Sequence, residues 1–174
     1  MRFKINEIGD DGLAVNVSIT AEWLEGACPD LEARPGPKGL SLRGRLAKIG
    51  DRKADEYLLT GRLAGSLATS CARCLEPARI DVDARLAVTF VPADEDEDLG
   101  DDADVVGFAG NEIVLDDEVR DEILLAIPVQ VLCSESCRGL CAVCGGNRNA
   151  IPCTCEEERR QSASRFATLG KLKI

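Results

Sequence analysis

The chain has 174 residues, of which 45% are hydrophobic and 30% are charged, a balance that excludes a disordered or membrane-embedded chain. Its longest apolar runs, such as residues 123–127, are far shorter than the roughly 20 residues that a membrane-spanning helix needs. The first residues lack the order of a secretory signal, so we expect a cytoplasmic protein with no membrane partner.

The net charge of −10 is unevenly distributed along the chain. Residues 94–122 carry 14 acidic side chains and 1 basic one, whereas residues 123–174 carry 4 acidic and 7 basic ones. The densest acidic run, residues 93–104, predicts a solvated surface loop because its charges repel one another. A docking segment for a basic partner is the alternative interpretation of this loop.

The N-terminal part alternates in the way that strands do. Residues 3–8 and 13–19 flank the sequence Gly-Asp-Asp-Gly, which predicts a hairpin turn. A short helix is expected over residues 21–25, with Thr20 as its N-cap. Trp23 in this helix is expected to anchor the core, with base stacking as the alternative. Residues 34–39 predict a loop, because proline lacks a backbone donor and glycine is costly to order.

The central part predicts an antiparallel sheet. Strand-like alternation recurs over residues 40–49, 57–67 and 80–90, and barrel-like curling of this sheet is an option. A further strand is expected at 113–115, followed by a helix over 117–126 that Asp116 caps and Pro128 ends. Another helix is predicted over 156–170. The predicted fold class is therefore α+β, mainly antiparallel sheet with a few short helices.

The nine cysteines are the most informative residues, and the chain has no histidine. In a reducing compartment, clustered cysteines hold metal or carry redox chemistry more often than they form structural disulfides. Cys71 and Cys74 form one Cys-x-x-Cys pair, and Cys141 and Cys144 form another, followed by Gly145. A two-residue spacer lets a tight turn direct both sulfurs at one zinc ion, and glycine eases the backbone after the pair.

Eight of the cysteines predict two structural zinc sites of four thiolates each. The first site is expected to combine Cys71, Cys74, Cys133 and Cys137, and the second to combine Cys141, Cys144, Cys153 and Cys155. Cys28 is left over and is expected to be a small buried apolar side chain. The chain is thus predicted to consist of an α+β domain over 1–132 and a zinc-knuckle-like module with a helical tail over 133–174.

Enzymatic alternatives receive less support from the sequence. Cys71 and Cys74 as a redox dithiol would need a βαβ pattern and a following helix, and neither is present in the sequence pattern. An iron–sulfur cluster lacks its usual cysteine spacings, and a nuclease would have to hold magnesium with carboxylates from the acidic run. We therefore expect a protein that is not an enzyme and has no small-molecule substrate.

Four sequence blocks resemble the YceD family, named for large ribosomal RNA subunit accumulation. They are Cys-Ala-Arg-Cys-Leu-Glu-Pro from position 71, Val-Leu-Asp-Asp-Glu-Val-Arg-Asp-Glu-Ile-Leu-Leu-Ala-Ile-Pro from 114, Cys-Arg-Gly-Leu-Cys-Ala-Val-Cys-Gly-Gly-Asn-Arg-Asn from 137, and Ser-Arg-Phe-Ala-Thr-Leu-Gly-Lys-Leu from 164. The resemblance covers about residues 66 to 172. The chain differs from the family pattern at Ala142, Val143 and Arg148, and none of these positions is a cysteine.

The resemblance implies a role in making, processing or stabilising the RNA of the large ribosomal subunit, 23S rRNA in bacteria. The expected partners are this RNA or a pre-ribosomal particle, and a ribosomal protein is a further option. The arginines expected to contact RNA phosphates are Arg73, Arg79, Arg138, Arg148, Arg159, Arg160 and Arg165. A protein-interaction adaptor that binds a basic partner through the acidic loop is the alternative, as is a thiol redox protein.

Overall fold

The computed structural model describes residues 1–49, 55–93 and 104–155. The described part contains seven strands, two α-helices and one 3-10 turn. In chain order these are β1 (Arg2–Lys4), the 3-10 turn (Ile5–Glu7), β2 (Leu13–Ser18), α1 (Ala21–Ala27), β3 (Arg34–Ile49), β4 (Glu56–Ser70), β5 (Pro77–Pro92), β6 (Val105–Phe108), β7 (Glu112–Val114) and α2 (Asp116–Ala126). The predicted helix over 156–170 lies outside the described residues, as does most of the acidic loop 93–104.

The strands form one five-stranded sheet and one two-stranded sheet. The larger has the order β2-β3-β4-β5-β6, with antiparallel pairing except between β5 and β6, and β1 pairs with β7 in the smaller one. The α+β prediction is confirmed. The barrel-like option is wrong, because β2 and β6 form two separate edges of an open sheet.

One face of the large sheet is buried and the other faces solvent. Period-two alternation directs Leu42, Leu59, Leu63 and Leu86 to the same face, where each is at most 3% exposed. Both helices cover this face, and their inward residues Leu24, Val119 and Ile123 join the same core cluster. In the described residues, no helix is long and apolar enough to cross a membrane.

The predicted N-terminal hairpin is wrong. Ile5–Glu7 form a 3-10 turn that breaks the alternation after β1, and β1 then pairs with β7 rather than with β2. A tight turn does close where it was expected, since Gly12 N–H donates to the carbonyl of Gly9 at 2.8 Å. β2 nevertheless pairs with β3, because local turn chemistry brings the chain around without choosing its long-range partner.

The predicted loop at residues 34–39 is also wrong, because these residues begin β3. Arg34 and Pro35 pair with Ala68 and Leu67 of β4, and the regular ladder resumes only at Leu40. The residues in between form an irregularity in the strand, which accommodates prolines whose nitrogen cannot donate to the ladder.

The two helices begin differently. Thr20 caps α1 as predicted, and its hydroxyl oxygen accepts from the backbone N–H of Trp23 at 3.2 Å. Asp116 does not cap α2, whose N-cap is Leu115 without a side-chain bond. The Asp116 carboxylate instead accepts hydrogen bonds from the indole N–H of Trp23 and from the amino group of Met1. Trp23 packs against the core, in agreement with the anchoring role that was predicted for it.

We predict that Gly65→Ala destabilises the sheet by about 2 kcal/mol or more, by backbone strain and overpacking. Gly65 has a φ of 150°, and a Cβ there would lie 2.1 Å from the carbonyl oxygen of Gly39. Gly9→Ala is the matched control, since nothing lies within 4 Å of a Cβ at that position. Urea unfolding of both variants measures the difference, and equal free energies of unfolding would contradict the strain.

Candidate metal centre

A tight turn joins β4 to β5 and carries the first Cys-x-x-Cys pair. Cys71 N–H donates to the carbonyl of Glu76 at 2.8 Å, and Leu75 N–H donates back to the carbonyl of Cys71 at 3.0 Å. The backbone N–H of Arg73 points at the Cys71 Sγ, 3.4 Å away. The turn therefore directs both cysteine side chains to one side and supplies a donor to the first sulfur.

The second Cys-x-x-Cys pair repeats this turn bond for bond. Cys141 N–H donates to Gly146 at 2.8 Å, and Gly145 N–H donates to Cys141 at 2.9 Å. Val143 N–H lies 3.4 Å from the Cys141 Sγ, as Arg73 N–H does in the first turn. The two turns thus share one backbone design despite different surroundings.

The residue after each pair adopts the left-handed conformation. Gly145 has a φ of 71°, as its place after the second pair predicted, and Leu75 has a φ of 62°. Among the described residues Leu75 is the one non-glycine with positive φ. A side chain in this region is strained, and such strain concentrates at functional sites. Because Leu75 is 67% exposed, core packing does not explain it.

The first four-cysteine cluster joins the β4–β5 turn to the chain after α2. The sulfurs of Cys71, Cys74, Cys133 and Cys137 all lie within 4.8 Å of one another. Cys71 Sγ is 3.7 Å from Cys137 Sγ, and Cys74 Sγ is 3.5 Å from Cys133 Sγ. Three of the four are buried and Cys133 is exposed. This group can hold a metal ion.

The second cluster is contained within fifteen residues of sequence. The sulfurs of Cys141, Cys144, Cys153 and Cys155 also lie within 4.8 Å of one another. Cys141 Sγ is 3.3 Å from Cys153 Sγ, which is 3.7 Å from Cys144 Sγ. The structure thus brings the eight cysteines together in the two groups that the sequence predicted. All nine cysteines of the chain are free of disulfide bonds.

Each Cys-x-x-Cys turn lowers the pKa of its first thiol. Burial opposes ionisation of Cys71, but backbone N–H donors, that of Arg73 foremost, lower the pKa of its thiol to about 6. Backbone N–H groups of Cys144 and Val143, helped by the Cys153 thiol, likewise lower the pKa of Cys141 to about 6. A thiolate is the form that binds metal, so each turn prepares one ligand.

Each cluster also contains a thiol that resists ionisation. The thiols of Cys153 and Cys144 raise the pKa of Cys155 to about 12. For Cys74 the N–H of Glu76 favours the thiolate, yet burial and the neighbouring sulfurs raise its pKa to about 12. Four thiolates whose sulfurs lie within 4.8 Å of one another repel each other. A cation bound between them attracts all four and offsets this repulsion.

Hydrogen bonds connect the two clusters. Leu140 N–H donates to the carbonyl of Arg73 at 2.9 Å. The preceding residue, Gly139, has a φ of 71°, and a Cβ at this position would lie 3.0 Å from the same carbonyl oxygen. Asn149 Nδ2 donates to the Cys137 Sγ at 3.3 Å and is the leading reason that the pKa of this thiol is lowered. The second cluster is therefore built directly against the first.

Asn147 and Asn149 were not among the predicted site residues. Asn147 Nδ2 donates to Glu76 Oε1 at 3.2 Å, and its own Oδ1 accepts from Asn149 Nδ2 at 3.0 Å. Asn149 Oδ1 accepts in turn from the backbone N–H of Arg138 at 2.8 Å. The Asn-x-Asn sequence after Gly145 and Gly146 was the available signal, because paired amides in a turn act on nearby backbone.

Arg73 and Arg79, both predicted to contact RNA, bind other groups of the chain through their guanidinium groups. Arg73 Nη1 donates to the carbonyl of Cys137 at 3.1 Å, and Arg79 forms an ion pair with Asp81 at 3.1 Å on the outer face of β5. The guanidinium of Arg73 thus supports the first cluster.

Of the other predicted arginines, Arg138 directly follows Cys137 of the first cluster, Arg148 lies within the second cluster, and the rest follow it. Arg138 is exposed, whereas Arg148 is half-buried and its backbone N–H donates to Gly139 at 2.9 Å. Arg159, Arg160 and Arg165 lie outside the described residues. Their contact with RNA stays a prediction.

Cys28 takes no part in either cluster. It is 5% exposed and belongs to the main hydrophobic core, where burial raises the pKa of its thiol. This is the environment that the sequence predicted for it.

An open sheet joined to two four-cysteine clusters defines a class of protein whose cysteines are arranged so that they can hold metal ions. Within this class the chain belongs to the YceD family. The matching family model is described as large ribosomal RNA subunit accumulation protein YceD, and it matches residues 59–173. The match begins on β4 and therefore includes both Cys-x-x-Cys turns.

Curated relatives occur in bacteria and plants. An uncharacterised protein of Mycobacterium tuberculosis is 35% identical over 93 residues, which cover 53% of this chain and 45% of that protein. A maize protein named large ribosomal RNA subunit accumulation protein YCED homolog 1, chloroplastic, is 30% identical over 142 residues, covering 65% of this chain and 48% of that protein. The chain thus matches about half the length of these relatives. No solved structure matches the chain.

We predict that the purified protein binds two divalent metal ions and that each cluster can be emptied separately. Cys74→Ser should remove the ion of the first cluster and Cys144→Ser that of the second, because three thiolates hold an ion less tightly than four. Elemental analysis with a free-thiol count measures the stoichiometry, and Cys28→Ala is the matched control.

A protein that is purified without bound metal and that forms a reversible disulfide between Cys71 and Cys74 would contradict this prediction of metal binding. It would favour the redox alternative.

Proposed function

We propose that zinc occupies both clusters as a structural ion. A zinc ion bonded to four thiolates at about 2.3 Å places the sulfurs about 3.8 Å apart at the corners of a tetrahedron. Four of the Sγ–Sγ separations are 3.3 to 3.7 Å, and all sulfurs of a cluster lie within 4.8 Å of one another, which is compatible with this arrangement. Sulfur ligands without histidine or carboxylate favour zinc over magnesium, calcium or manganese.

Four cysteine ligands leave no coordination position for water or substrate. A closed tetrahedron is typical of structural zinc, whereas catalytic zinc keeps an open position. This supports a role in holding residues 133–155 against the sheet. The closed coordination also supports the proposal that the protein is not an enzyme, and we assign no catalytic residue.

The function that these features support best is non-enzymatic assistance to the accumulation of large-subunit ribosomal RNA. The observation that supports this function most strongly is the family match over residues 59–173, a range that contains both clusters. The maize relative bears the same description in its name. We propose that the chain acts in the cytoplasm on 23S rRNA or on a pre-ribosomal particle, through synthesis, processing or stability of the RNA.

The cysteine-rich segment depends on its metal for order. Within residues 133–155 the buried side chains are those of Cys137 and Cys141, so there is almost no apolar core to replace the ion. This is why we propose residues 133–174 as a module that is distinct from the domain formed by residues 1–132. Zinc binding then contributes directly to the folding free energy of the module.

We therefore predict that a strong zinc chelator loosens residues 133–155 while the large sheet persists. Hydrogen exchange should become fast at Leu140 and Arg148 and stay slow at Leu63, because the sheet buries its own apolar face. Added zinc should restore the protection. Equal exchange with and without chelator would show that metal does not hold this segment.

The functional test is genetic. Deleting the gene in its native host should lower mature 23S rRNA relative to 16S rRNA, as read from total RNA. Wild type and Cys28→Ala should restore the ratio, whereas Cys74→Ser and Cys144→Ser should not, because they remove a metal ligand. An unchanged ratio after deletion would refute the proposed role in the large subunit.

A further inference from the structure

The outer face of the large sheet carries a row of arginines in direct cross-strand register. Arg43 on β3 is opposite Arg62 on β4, which is opposite Arg85 on β5. Arg45 lies two residues further along β3 and points to the same side. All four are exposed, and both helices pack on the other face of the sheet. We call these four residues the arginine row.

The arginine row is unfavourable for the isolated protein. Directly opposite side chains lie about 4.5–5.5 Å apart at Cβ, and like charges at this distance destabilise a sheet. Asp83 neutralises Arg62 through two hydrogen bonds of 2.5 and 2.6 Å. Within the described residues no carboxylate lies within ion-pair distance of Arg43, Arg45 or Arg85, although Asp83 also attracts Arg85 electrostatically. An anionic partner would remove the repulsion.

The charge of this face differs from that of the whole chain. β3, β4 and β5 together carry eight basic and three acidic side chains, although the net charge of the protein is −10. Six of the eight are arginines, whose planar fork fits phosphate oxygens in pairs. The three strands that bear the arginine row are thus basic, although the chain as a whole is acidic.

The composition of the face also indicates how it would recognise RNA. Apart from Asp83, the residues around the arginine row are small or polar, namely Asn16, Thr60, Ala64 and Ala87. The aromatic residues Tyr57 and Phe90 point into the core on the other side. Because the described residues place no aromatic side chain on this face for base stacking, recognition rests on the phosphate backbone.

We propose that the arginine row is an RNA-binding surface that contacts the phosphate backbone independently of base sequence. The inference deepens the proposed function and rests on it for the identity of the RNA. It places the principal contact on the sheet rather than on the arginines of the cysteine clusters.

The test is RNA binding by the full, zinc-loaded chain, measured by fluorescence anisotropy with a labelled hairpin of arbitrary sequence and a labelled 23S rRNA fragment. Each lost phosphate contact weakens binding about five- to eightfold at ~0.1 M salt. Arg43→Ala, Arg45→Ala and Arg85→Ala combined should therefore weaken binding of both RNAs by roughly 100- to 500-fold. The slope of log K against log salt should become shallower by about 2 to 3.

Matched variants separate charge from structure. The same three positions changed to Lys should keep the salt dependence, since the charge remains, and should weaken binding less than alanine does, losing only the paired contacts of the arginine fork. Arg120→Ala, on α2, removes one arginine from the opposite side and should leave binding unchanged. The melting temperature of the triple alanine variant should not fall, because the change relieves repulsion.

Three outcomes would overturn the proposal. They are wild-type RNA affinity in the triple alanine variant, loss of binding in Arg138→Ala instead, and in-cell crosslinks from a photoreactive residue at Ala87 that reach protein but not RNA. The genetic test remains separate. One combination of results is loss of RNA binding in the triple alanine variant together with an unchanged 23S rRNA level after deletion of the gene. That combination would support the RNA-binding surface and refute the proposed role in the large subunit.

Discussion

The convergence of four sulfurs between the β4–β5 turn and the chain after α2 is the interaction on which the rest of the site depends. Cys71 and Cys74 belong to a rigid hairpin, whereas Cys133 and Cys137 belong to a segment without regular secondary structure. Their sulfurs come within bonding range of one ion only if that segment returns to the sheet. Once it does, Leu140 can bond to Arg73, and the second cluster forms against the first.

The two Cys-x-x-Cys turns show how strongly ligand geometry governs the backbone. Their hydrogen bonds match, although one turn ends in Gly145 and the other in Leu75. Leucine does not favour positive φ, so its presence there is explained by the requirement to aim two sulfurs at one point. The same turn therefore forms with and without the residue that local propensity prefers.

The two faces of the sheet serve different purposes. The inner face packs leucines against the helices and provides stability, whereas the outer face places arginines in register where they repel one another. A surface that costs stability is informative because folding does not require it. Cys71 and Cys74 of the first cluster and Arg62 and Arg85 of the arginine row all lie on the β4–β5 hairpin, which relates the structural and the binding features of the molecule.

The alternation of apolar residues was sufficient to predict β4, β5 and the α+β class, and cysteine spacing was sufficient to predict both groups of four. These features are local, or they rest on a chemical requirement that any fold must meet. The partner of β1, the place of Arg34 and Pro35 in β3, and the bonding of Asp116 to Trp23 were decided by the tertiary structure. So was the register that aligns Arg43, Arg62 and Arg85. Each depends on contacts between residues far apart in sequence, whose pairing follows from the packing of the whole core rather than from any local pattern.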